Sequence, residues 1–277
     1  MLKAPVNKII PFSVVDGPGS RCAIFFQGCR FACAYCHNPE TIQLCGGCGA
    51  CVEVCPSGAL KKEAEGISWD AACCCGCDAC INVCPGSSSP KVRWMTVDDV
   101  MEVIRPMLPF IQGITASGGE CTLQEAFLTE LFARIKVLGK SAFVDTNGQK
   151  DFRRMPELTA IMDHAMLDVK VWDEKVHEQL TGQKNETVLS NLEYLAEIGK
   201  LYEVRTVILP DMLPNEETVE QVSRMLCSYP DVRYKLIRFR RFGVRGELRD
   251  AEMPTDAYME GLADIARKCG VKEVVLT

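Results

Sequence analysis

Long hydrophobic runs are missing from this sequence. Nowhere in its 277 residues does an apolar stretch approach the roughly 18 residues that a membrane-spanning helix needs. The amino-terminal segment MLKAPVNKIIPFS has no continuous apolar region and no small-residue cleavage site, which argues against a secretory signal. A long basic run is also missing, and the formal net charge is −6, which argues against nucleic acid as a main partner. We therefore expect a cytoplasmic protein that acts on neither membranes nor nucleic acids.

Cysteine, in contrast, is abundant, with 17 residues in the chain. A chain of this length buries roughly three-quarters of the surface that its unfolded form exposes, so its core does not depend on covalent cross-links. Because the cytosol keeps thiols reduced, patterned cysteines in such a protein are more typical of metal sites than of disulfides. A disulfide scaffold is the alternative interpretation.

The first cysteine motif has three members. The segment FQGCRFACAYCHN places Cys29, Cys33 and Cys36 at C-x3-C-x2-C spacing. A closed zinc site or a saturated four-iron cluster takes four protein ligands. Three ligands leave one coordination position open, so the motif predicts a metal centre to which a small molecule binds.

Residues 41–92 differ in composition from the rest of the chain, being rich in Cys, Gly, Pro and Ser. They contain two C-x2-C-x2-C-x3-C-P runs, which begin at Cys45 and Cys74 and are 29 residues apart. This run is typical of two-cluster bacterial ferredoxins, in which the fourth cysteine of each run ligates the other cluster. The predicted ligand sets are Cys45, Cys48, Cys51 and Cys84 for one cluster, and Cys74, Cys77, Cys80 and Cys55 for the other.

A pair of zinc knuckles is the alternative for this segment. Zinc sites usually show two C-x2-C hooks separated by about a dozen residues or more, whereas each run here has four cysteines and ends in proline. In CCCGC the spacing to Cys77 selects Cys74 as the ligand; Cys73 and Cys75 are interpreted as spare thiols, with a register slip as the alternative. We expect an inserted domain at residues 41–92 within a core formed by residues 1–40 and 93–277.

Outside the insert, strand-like and helix-like segments alternate. The sequence Thr96-x-x-Asp99 predicts the start of one helix, and spaced apolar residues from Leu123 to Ile135 predict another that ends near Gly139. Such alternation predicts an α/β fold with a parallel sheet, and six repeats indicate a complete or partial (β/α) barrel. The predicted strands are residues 22–26, 113–116, 142–145, 166–171, 204–209 and 235–239, with a late strand at 272–276.

Distinctive motifs follow these strands, at the ends where α/β barrels carry their chemistry. They are the three-cysteine motif, Ser117–Glu120, Asp145–Gly148, Asp168 with Lys170, Arg205 and Arg240. Each motif outside the cysteines has a simpler interpretation: the glycine-containing segments as turns, Asp168 with Lys170 as a structural ion pair, and Arg205 as a structural cation. Their shared placement around one rim favours a single site.

Together these motifs resemble a known family. The three-cysteine motif resembles that of the radical S-adenosylmethionine (SAM) enzymes. The segments DGPG (residues 16–19), FFQGC, YCHNP, SGGE, DTNG and LDVK resemble those of the glycyl-radical-enzyme activating enzymes, which include pyruvate formate-lyase activating enzyme. The insert resembles that of a longer subgroup, the YjjW-type activases. The resemblance spans essentially the whole chain and implies a partial (β/α)6 TIM-like radical SAM barrel with a small inserted two-cluster ferredoxin-like domain.

The resemblance implies three [4Fe-4S] clusters and SAM as cofactors. One cluster would be held by Cys29, Cys33 and Cys36, and its fourth iron would be chelated by the amino and carboxylate groups of SAM. An electron from this cluster would cleave SAM to methionine and a 5′-deoxyadenosyl radical, which would take a hydrogen atom from a glycine Cα of a partner enzyme. The protein would bind and orient SAM and exclude water.

The resemblance also assigns contacts with SAM. The residues are Tyr35, Cys36, His37, Gly119, Asp168, Val169, Lys170, Arg205 and Arg240. Asp145 would join Asp168 in a polar shell where relatives suggest a monovalent cation. Arg240 departs from the family pattern, in which a histidine usually faces the adenosine part of SAM. Arginine can donate hydrogen bonds or stack on adenine, but it cannot accept a hydrogen bond as neutral imidazole does.

The implied partners are a glycyl radical enzyme as protein substrate and a flavodoxin- or ferredoxin-type reductant. The two extra clusters would relay electrons or form part of the docking surface for that reductant, and the sequence does not separate these roles. Asp16–Gly19 is a candidate docking edge for the partner's glycine loop, with an ordinary Pro-Gly turn as the alternative. Two other functions stay open: a radical SAM enzyme acting on a small molecule or peptide, and an electron-transfer protein, which would leave the three-cysteine motif unexplained.

Overall fold

A computed structural model describes residues 2–244 and 246–277. Its strands are β1 (Lys3–Ser13), β2 (Arg21–Phe26), β3 (Leu60–Glu63), β4 (Gly66–Trp69), β5 (Arg93–Thr96), β6 (Gly113–Gly118), β7 (Ser141–Thr146), β8 (His164–Asp168), β9 (Leu201–Ile208), β10 (Arg233–Arg238) and β11 (Val274–Leu276). Its helices are α1 (Ala50–Glu53), α2 (Ala79–Val83), α3 (Val97–Ile104), α4 (Glu125–Val137), α5 (Pro156–Ile161), α6 (Glu174–Thr181), α7 (Glu186–Glu197), α8 (Asn215–Leu226) and α9 (Asp256–Lys268). None of the helices in this described part is both long and apolar enough to cross a membrane.

The main sheet has the strand order β11-β10-β9-β8-β7-β6-β2-β1-β5. The seven neighbouring strands β11, β10, β9, β8, β7, β6 and β2 are parallel to one another, whereas β1 is antiparallel to both β2 and β5. The predicted α/β class with a mostly parallel sheet is therefore confirmed. Because parallel strands end at the same edge of a sheet, the loops after β2, β6, β7 and β8 come together there.

The sequence does not predict the two antiparallel strands. Strand β1 contains Pro5 and Pro11, which cannot donate hydrogen bonds to a neighbouring strand, and its pairing with β2 is interrupted by two register shifts. Strand β5 is only four residues long and lies at the edge of the sheet. Both strands are therefore defined by long-range pairing rather than by local periodicity.

The predicted helices α3 and α4 form for the expected reasons. At the start of α3, the Thr96 hydroxyl accepts a hydrogen bond from the Asp99 N–H, and the Asp99 carboxylate accepts one from the Thr96 N–H. Helix α4 buries Phe127, Leu128, Leu131, Phe132 and Ile135, and the chain leaves it through Gly139 at φ +68°. The Phe127 ring packs edge-to-face on that of Phe26 in β2, with centroids 5.8 Å apart, which joins this helix to the sheet.

Residues 41–92 contain their own small elements. Strands β3 and β4 pair antiparallel as a separate two-stranded sheet. The short helices α1 and α2 each carry one buried cysteine, Cys51 and Cys80, and these pack with Leu60 of β3 in an apolar cluster separate from the main core. This segment therefore has a packing centre of its own.

Candidate active site

A cavity of about 280 Å³ lies at the carboxyl ends of the parallel strands. It brings together motifs that are far apart in the sequence. The predicted site residues that line it are Cys29, Cys33, Tyr35, Cys36, His37, Gly119, Asp168, Lys170 and Arg205. Ser117, Asp145 and Asn147 line the same cavity. The expectation that the strand-end motifs share one rim is met for all of them except Arg240.

The loop that carries the three cysteines is fixed by backbone hydrogen bonds on two sides. The N–H groups of Gly28 and Cys29 donate to the carbonyls of Thr41 and Ile42, at 2.8 and 2.9 Å. Further along, the N–H groups of Ala32 and Ala34 donate to carbonyls at the end of α6, at 2.8 and 3.0 Å. The loop is irregular but has little freedom, so the directions of its thiols are set by the surrounding chain.

The electrostatics of the thiols suit metal ligation. Burial raises the pKa of Cys29 to about 12 and that of Cys33 to about 11, so the free thiols are neutral near pH 7. Backbone N–H groups of Phe31 and Asn38 hydrogen-bond to Cys29 and Cys36 and oppose this effect. A coordinating thiol is deprotonated by the charge of the metal, and such donors then stabilise the thiolate.

The arrangement fits a cluster with three protein ligands. All three thiols face the cavity, and the Asn147 side-chain amide donates to the Cys29 sulfur at 3.3 Å. Within residues 2–244 and 246–277, no group of three His, Cys, Asp or Glu side chains converges to hold a single metal ion. In a four-iron cluster each thiolate reaches a different iron, so its ligands need not converge on one point.

Glu120 connects two of the loops around the cavity. This side chain is 1% exposed. Its Oε1 accepts hydrogen bonds from the Thr122 N–H and the Thr146 hydroxyl, at 3.0 and 2.8 Å, and its Oε2 accepts one from the Asn147 N–H at 2.8 Å. The sequence places Glu120 in the SGGE motif without giving its side chain a role. The structure shows that it fixes the loop after β7, from which Asn147 reaches Cys29.

Asp168 and Lys170 form an ion pair on the cavity wall. The Lys170 ammonium donates to Asp168 Oδ2 at 2.6 Å and lies 5.8 Å from the centre of the Tyr35 ring. Burial lowers the pKa of Lys170, but Asp168 and other acidic groups outweigh this effect and leave the pKa well above its ordinary value. Lys170 therefore stays protonated in the cavity, with its charge balanced by Asp168, and the structural and ligand-binding interpretations of these residues are compatible.

Arg205 is held by two carboxylates. Its Nη1 donates to Asp145 Oδ1 at 3.0 Å, and its Nε donates to Glu203 Oε1 at 2.5 Å. Glu203 is fully buried and also accepts from Arg233 Nε at 2.7 Å. Burial raises the pKa of Asp145, Arg205 lowers it, and Asp168 raises it, with a net upward shift. Glu203 and Arg233 are not among the residues predicted from the sequence, although the opposite charges of Glu203 and Arg205, two residues apart on β9, are a signal.

The two glycines of the SGGE motif are required by neighbouring backbone. A Cβ atom built on Gly118 would lie 2.2 Å from the Phe26 nitrogen, and this residue has φ +120°. A Cβ atom on Gly119 would lie 2.4 Å from the Gly28 oxygen and 2.7 Å from the Thr41 oxygen. Close approach to the end of β2 therefore accounts for Gly118, and close approach to the loop residue Gly28 and to Thr41 accounts for Gly119.

Two residues assigned by resemblance lie away from the cavity lining. The Val169 side chain is 1% exposed and packs in the main core. Arg240 lines a neighbouring cavity of about 470 Å³, and its carbonyl accepts a hydrogen bond from His37 Nε2 at 2.9 Å. His37 also stacks on Phe239, so this contact orients the imidazole between the two cavities.

The cysteines of the insert are grouped only in part as the predicted sets require, since Cys51 and Cys80, from different sets, pack in one apolar cluster. One small cavity is lined by Cys55, Cys74, Cys77 and Cys80, together with Cys75. The Cys73 thiol instead donates to Asp70 Oδ2 at 3.2 Å. In the other predicted set, the Cys84 sulfur accepts the Ser88 N–H at 3.3 Å.

Known proteins resemble the chain over its full length. The sequence pattern of the Radical SAM superfamily matches residues 23–226. The indoleacetate decarboxylase activating enzyme of Tractidigestivibacter scatoligenes is 30% identical over 307 aligned residues, which cover 99% of this chain and 98% of that protein. The choline trimethylamine-lyase activating enzyme of Oleidesulfovibrio alaskensis is 32% identical over 264 aligned residues, which cover 87% of this chain and 85% of that protein. In fold alone, QueE from Escherichia coli has a TM-score of 0.54 over 99% of this chain and 94% of that one, at 12% identity.

Replacing Gly119 by alanine tests the close approach at the cysteine loop. We expect Gly119→Ala to lower the free energy of unfolding by about 1–3 kcal/mol, since the added methyl group forces two backbone carbonyls away. The matched control is Gly261→Ala in α9, where a Cβ meets nothing within 4 Å and the helix gains stability. Anaerobic denaturant unfolding of the metal-free proteins measures both effects. Equal stabilities of the two variants would contradict the packing argument.

Proposed function

Because the chain belongs to the radical SAM superfamily and to its glycyl-radical-enzyme activating enzymes, we propose that it reductively cleaves SAM and generates a glycyl radical on a partner glycyl radical enzyme. The observation that carries the proposal is the single cavity in which three cysteines meet the polar residues of the strand ends. Relatives of similar length that are named as activating enzymes support the choice of a protein glycine as substrate.

Cys29, Cys33 and Cys36 would hold a [4Fe-4S] cluster beside bound SAM. Such a cluster would supply the electron for reductive cleavage of SAM, and the resulting 5′-deoxyadenosyl radical would take a hydrogen atom from a glycine Cα. The cysteine loop keeps the thiolates in place through its backbone hydrogen bonds, and Asn147 donates to one of them. The enclosing residues exclude water from the site.

The remaining cavity residues bind and orient SAM. Lys170, held by Asp168, offers a fixed positive charge, and Tyr35 offers a buried aromatic face beside it. His37 and the Gly119 backbone line the same cavity, and Arg205 contributes a second cation. Asp145 and Asp168 form the carboxylate pair beside which a monovalent cation binds. The Val169 N–H donates to the Arg205 carbonyl at 2.9 Å, so Val169 supports the strand that carries Arg205. Arg240 acts through its carbonyl, which holds His37.

The insert holds two further [4Fe-4S] clusters in a ferredoxin-type domain at residues 41–92. Support comes from the two repeated runs and from the cavity that groups Cys55 with Cys74, Cys77 and Cys80, since Cys55 belongs to the first run. The six parallel strands β2 and β6 to β10 form the partial barrel around the first cluster. A flavodoxin- or ferredoxin-type protein supplies the electrons.

The glycine loop of the partner docks at the neighbouring cavity. Gly17 of the DGPG segment lines it together with His37 and Arg205, so it adjoins the SAM cavity. Val14 and Val15 on its border are 66% and 72% exposed, which offers apolar contact area to a partner. This arrangement supports a docking role for Asp16–Gly19, flanked by Val14 and Val15, in preference to an ordinary turn.

Iron content tests the three-cluster proposal. We expect anaerobically reconstituted protein to hold about 12 irons with matching sulfide, four for each cluster. Replacing Cys29, Cys33 and Cys36 together by alanine should remove about a third of the iron and abolish SAM cleavage under dithionite. The matched control replaces Cys22, Cys121 and Cys269, none of which belongs to a predicted ligand set. About eight irons in the wild type, or zinc in the insert, would overturn the assignment.

The destination of the radical is tested with deuterium. A glycyl radical enzyme made with α-deuterated glycine should transfer deuterium to 5′-deoxyadenosine, because its glycine Cα is the hydrogen donor. Mass spectrometry of 5′-deoxyadenosine measures the transfer, and the same partner with ordinary glycine is the control. Rapid SAM cleavage that depends on the partner but transfers no deuterium would favour a small molecule or peptide as substrate.

A further inference from the structure

The insert meets the core through a buried polar contact centred on Gln27. This residue follows β2 directly, lies two positions before Cys29, and is 1% exposed. Its side-chain amide donates to the carbonyls of Glu40 and Gln43, at 2.5 and 2.6 Å, and its Oε1 accepts from the Asn7 amide at 2.7 Å. The three contacts satisfy most of the hydrogen-bonding capacity of this amide and fix it against the start of the insert.

The same contact continues to a cysteine of the insert. The Gln43 carbonyl accepts a second hydrogen bond from the Ser88 hydroxyl at 2.7 Å. The Ser88 N–H donates to the Cys84 sulfur at 3.3 Å, and Ser88 is only 2% exposed. A continuous path of covalent and hydrogen bonds therefore runs from Cys84 through Ser88, Gln43 and Gln27 to Cys29. A parallel branch leaves Ser88 through the neighbouring Ser89 N–H, which donates to the Glu40 carbonyl at 3.1 Å, and reaches the same Gln27 amide.

This path distinguishes the two predicted clusters of the insert. Cys84 belongs to the set with Cys45, Cys48 and Cys51, and Cys45 itself lies two residues after Gln43. The thiols of the other set face a separate cavity, whose wall includes Lys91 and Asp78. The nearest hydroxyl to the Cys55 sulfur is that of Ser57, 3.8 Å away in the same loop of the insert.

We propose that the cluster held by Cys45, Cys48, Cys51 and Cys84 is the immediate electron donor to the SAM-binding cluster, through Ser88, Gln43 and Gln27. The cluster held by Cys55, Cys74, Cys77 and Cys80 is then the outer one, which receives electrons first. The proposal rests on the three-cluster function above. Electronic coupling decreases less steeply across covalent and hydrogen bonds than across gaps, so a dry hydrogen-bonded path favours this order.

The redox step is a simple exchange of one electron. The cluster bound to Cys84 is oxidised by one electron, and the cluster bound to Cys29, Cys33 and Cys36 is reduced by one electron, with no proton transferred and no bond broken. A one-electron protein donor of the flavodoxin or ferredoxin type replaces the electron through the outer cluster.

The order of the clusters is tested with a matched pair of cysteine variants, Cys84→Ala and Cys55→Ala. Each removes the fourth cysteine of one run, and iron analysis of the loaded proteins verifies that each variant has lost one cluster, about four irons. The EPR signal of the SAM-binding cluster is identified by its change when SAM is added. In fully reduced protein, the nearest paramagnetic cluster broadens this signal. We expect Cys84→Ala to remove this broadening and Cys55→Ala to retain it. The reverse pattern, or equal broadening in both variants, would overturn the order.

The path is tested without removing any cluster. Gln27→Leu deletes the amide on which both branches meet, and Ser88→Ala deletes the hydroxyl of one branch but keeps the backbone donor to Cys84. Ser57→Ala is the matched control beside Cys55. Freeze-quench EPR with a reduced flavodoxin follows reduction of the SAM-binding cluster. We expect this reduction to be several-fold slower in Gln27→Leu, slowed less in Ser88→Ala and unchanged in Ser57→Ala. Equal rates would refute the path. If the variants give negative results while the wild-type protein holds about 12 irons, only this inference fails. About four irons in the wild-type protein would refute the three-cluster proposal as well.

Discussion

A buried carboxylate organises the candidate site. Glu120 is 1% exposed, and removing an ionised carboxylate from water is costly unless hydrogen bonds replace the lost hydration. Its donors come from Thr122 just after it in the chain, from Thr146 at the end of β7 and from Asn147 directly after that strand. The carboxylate is therefore satisfied only when these two segments lie side by side. Asn147 then donates to Cys29, which brings in the loop after β2. The position of one cysteine ligand therefore depends on a carboxylate that does not contact it.

Buried ion pairs likewise fix the positions of side chains on the neighbouring strands β9 and β10. Glu203 is fully buried between Arg205 and Arg233, and Arg205 in turn holds Asp145 at the cavity. Removing one member of a buried pair typically costs about 3–5 kcal/mol, because the other charge is left without a partner. These residues therefore serve the stability of the sheet and the shape of the cavity together. Loss of activity in a variant of Arg205 would have to be separated from loss of folding.

The sequence predicts those features that depend on local spacing. The cysteine runs, the Thr96 cap and the apolar face of α4 each depend on residues a few positions apart. The distant motifs can be placed at one rim because parallel strands carry their site residues at their carboxyl ends. Strands β1 and β5, the partners of Glu120 and the contacts of Gln27 depend on long-range pairing, which no local pattern encodes. The glycines of SGGE also depend on long-range contacts. Their sequence suggests close approach to a ligand, whereas in the structure their neighbours are backbone atoms of Phe26, Gly28 and Thr41.

The central claim is that this chain places a radical on a protein glycine. EPR spectroscopy of an anaerobic mixture of the chain, SAM, a one-electron reductant and its cognate glycyl radical enzyme tests this most directly. The account predicts a glycyl doublet that develops as SAM is consumed and is missing when SAM, the chain or the reactive glycine of the partner is omitted. Consumption of SAM with no radical on the partner, while an established activase produces the doublet in the same preparation, would contradict it.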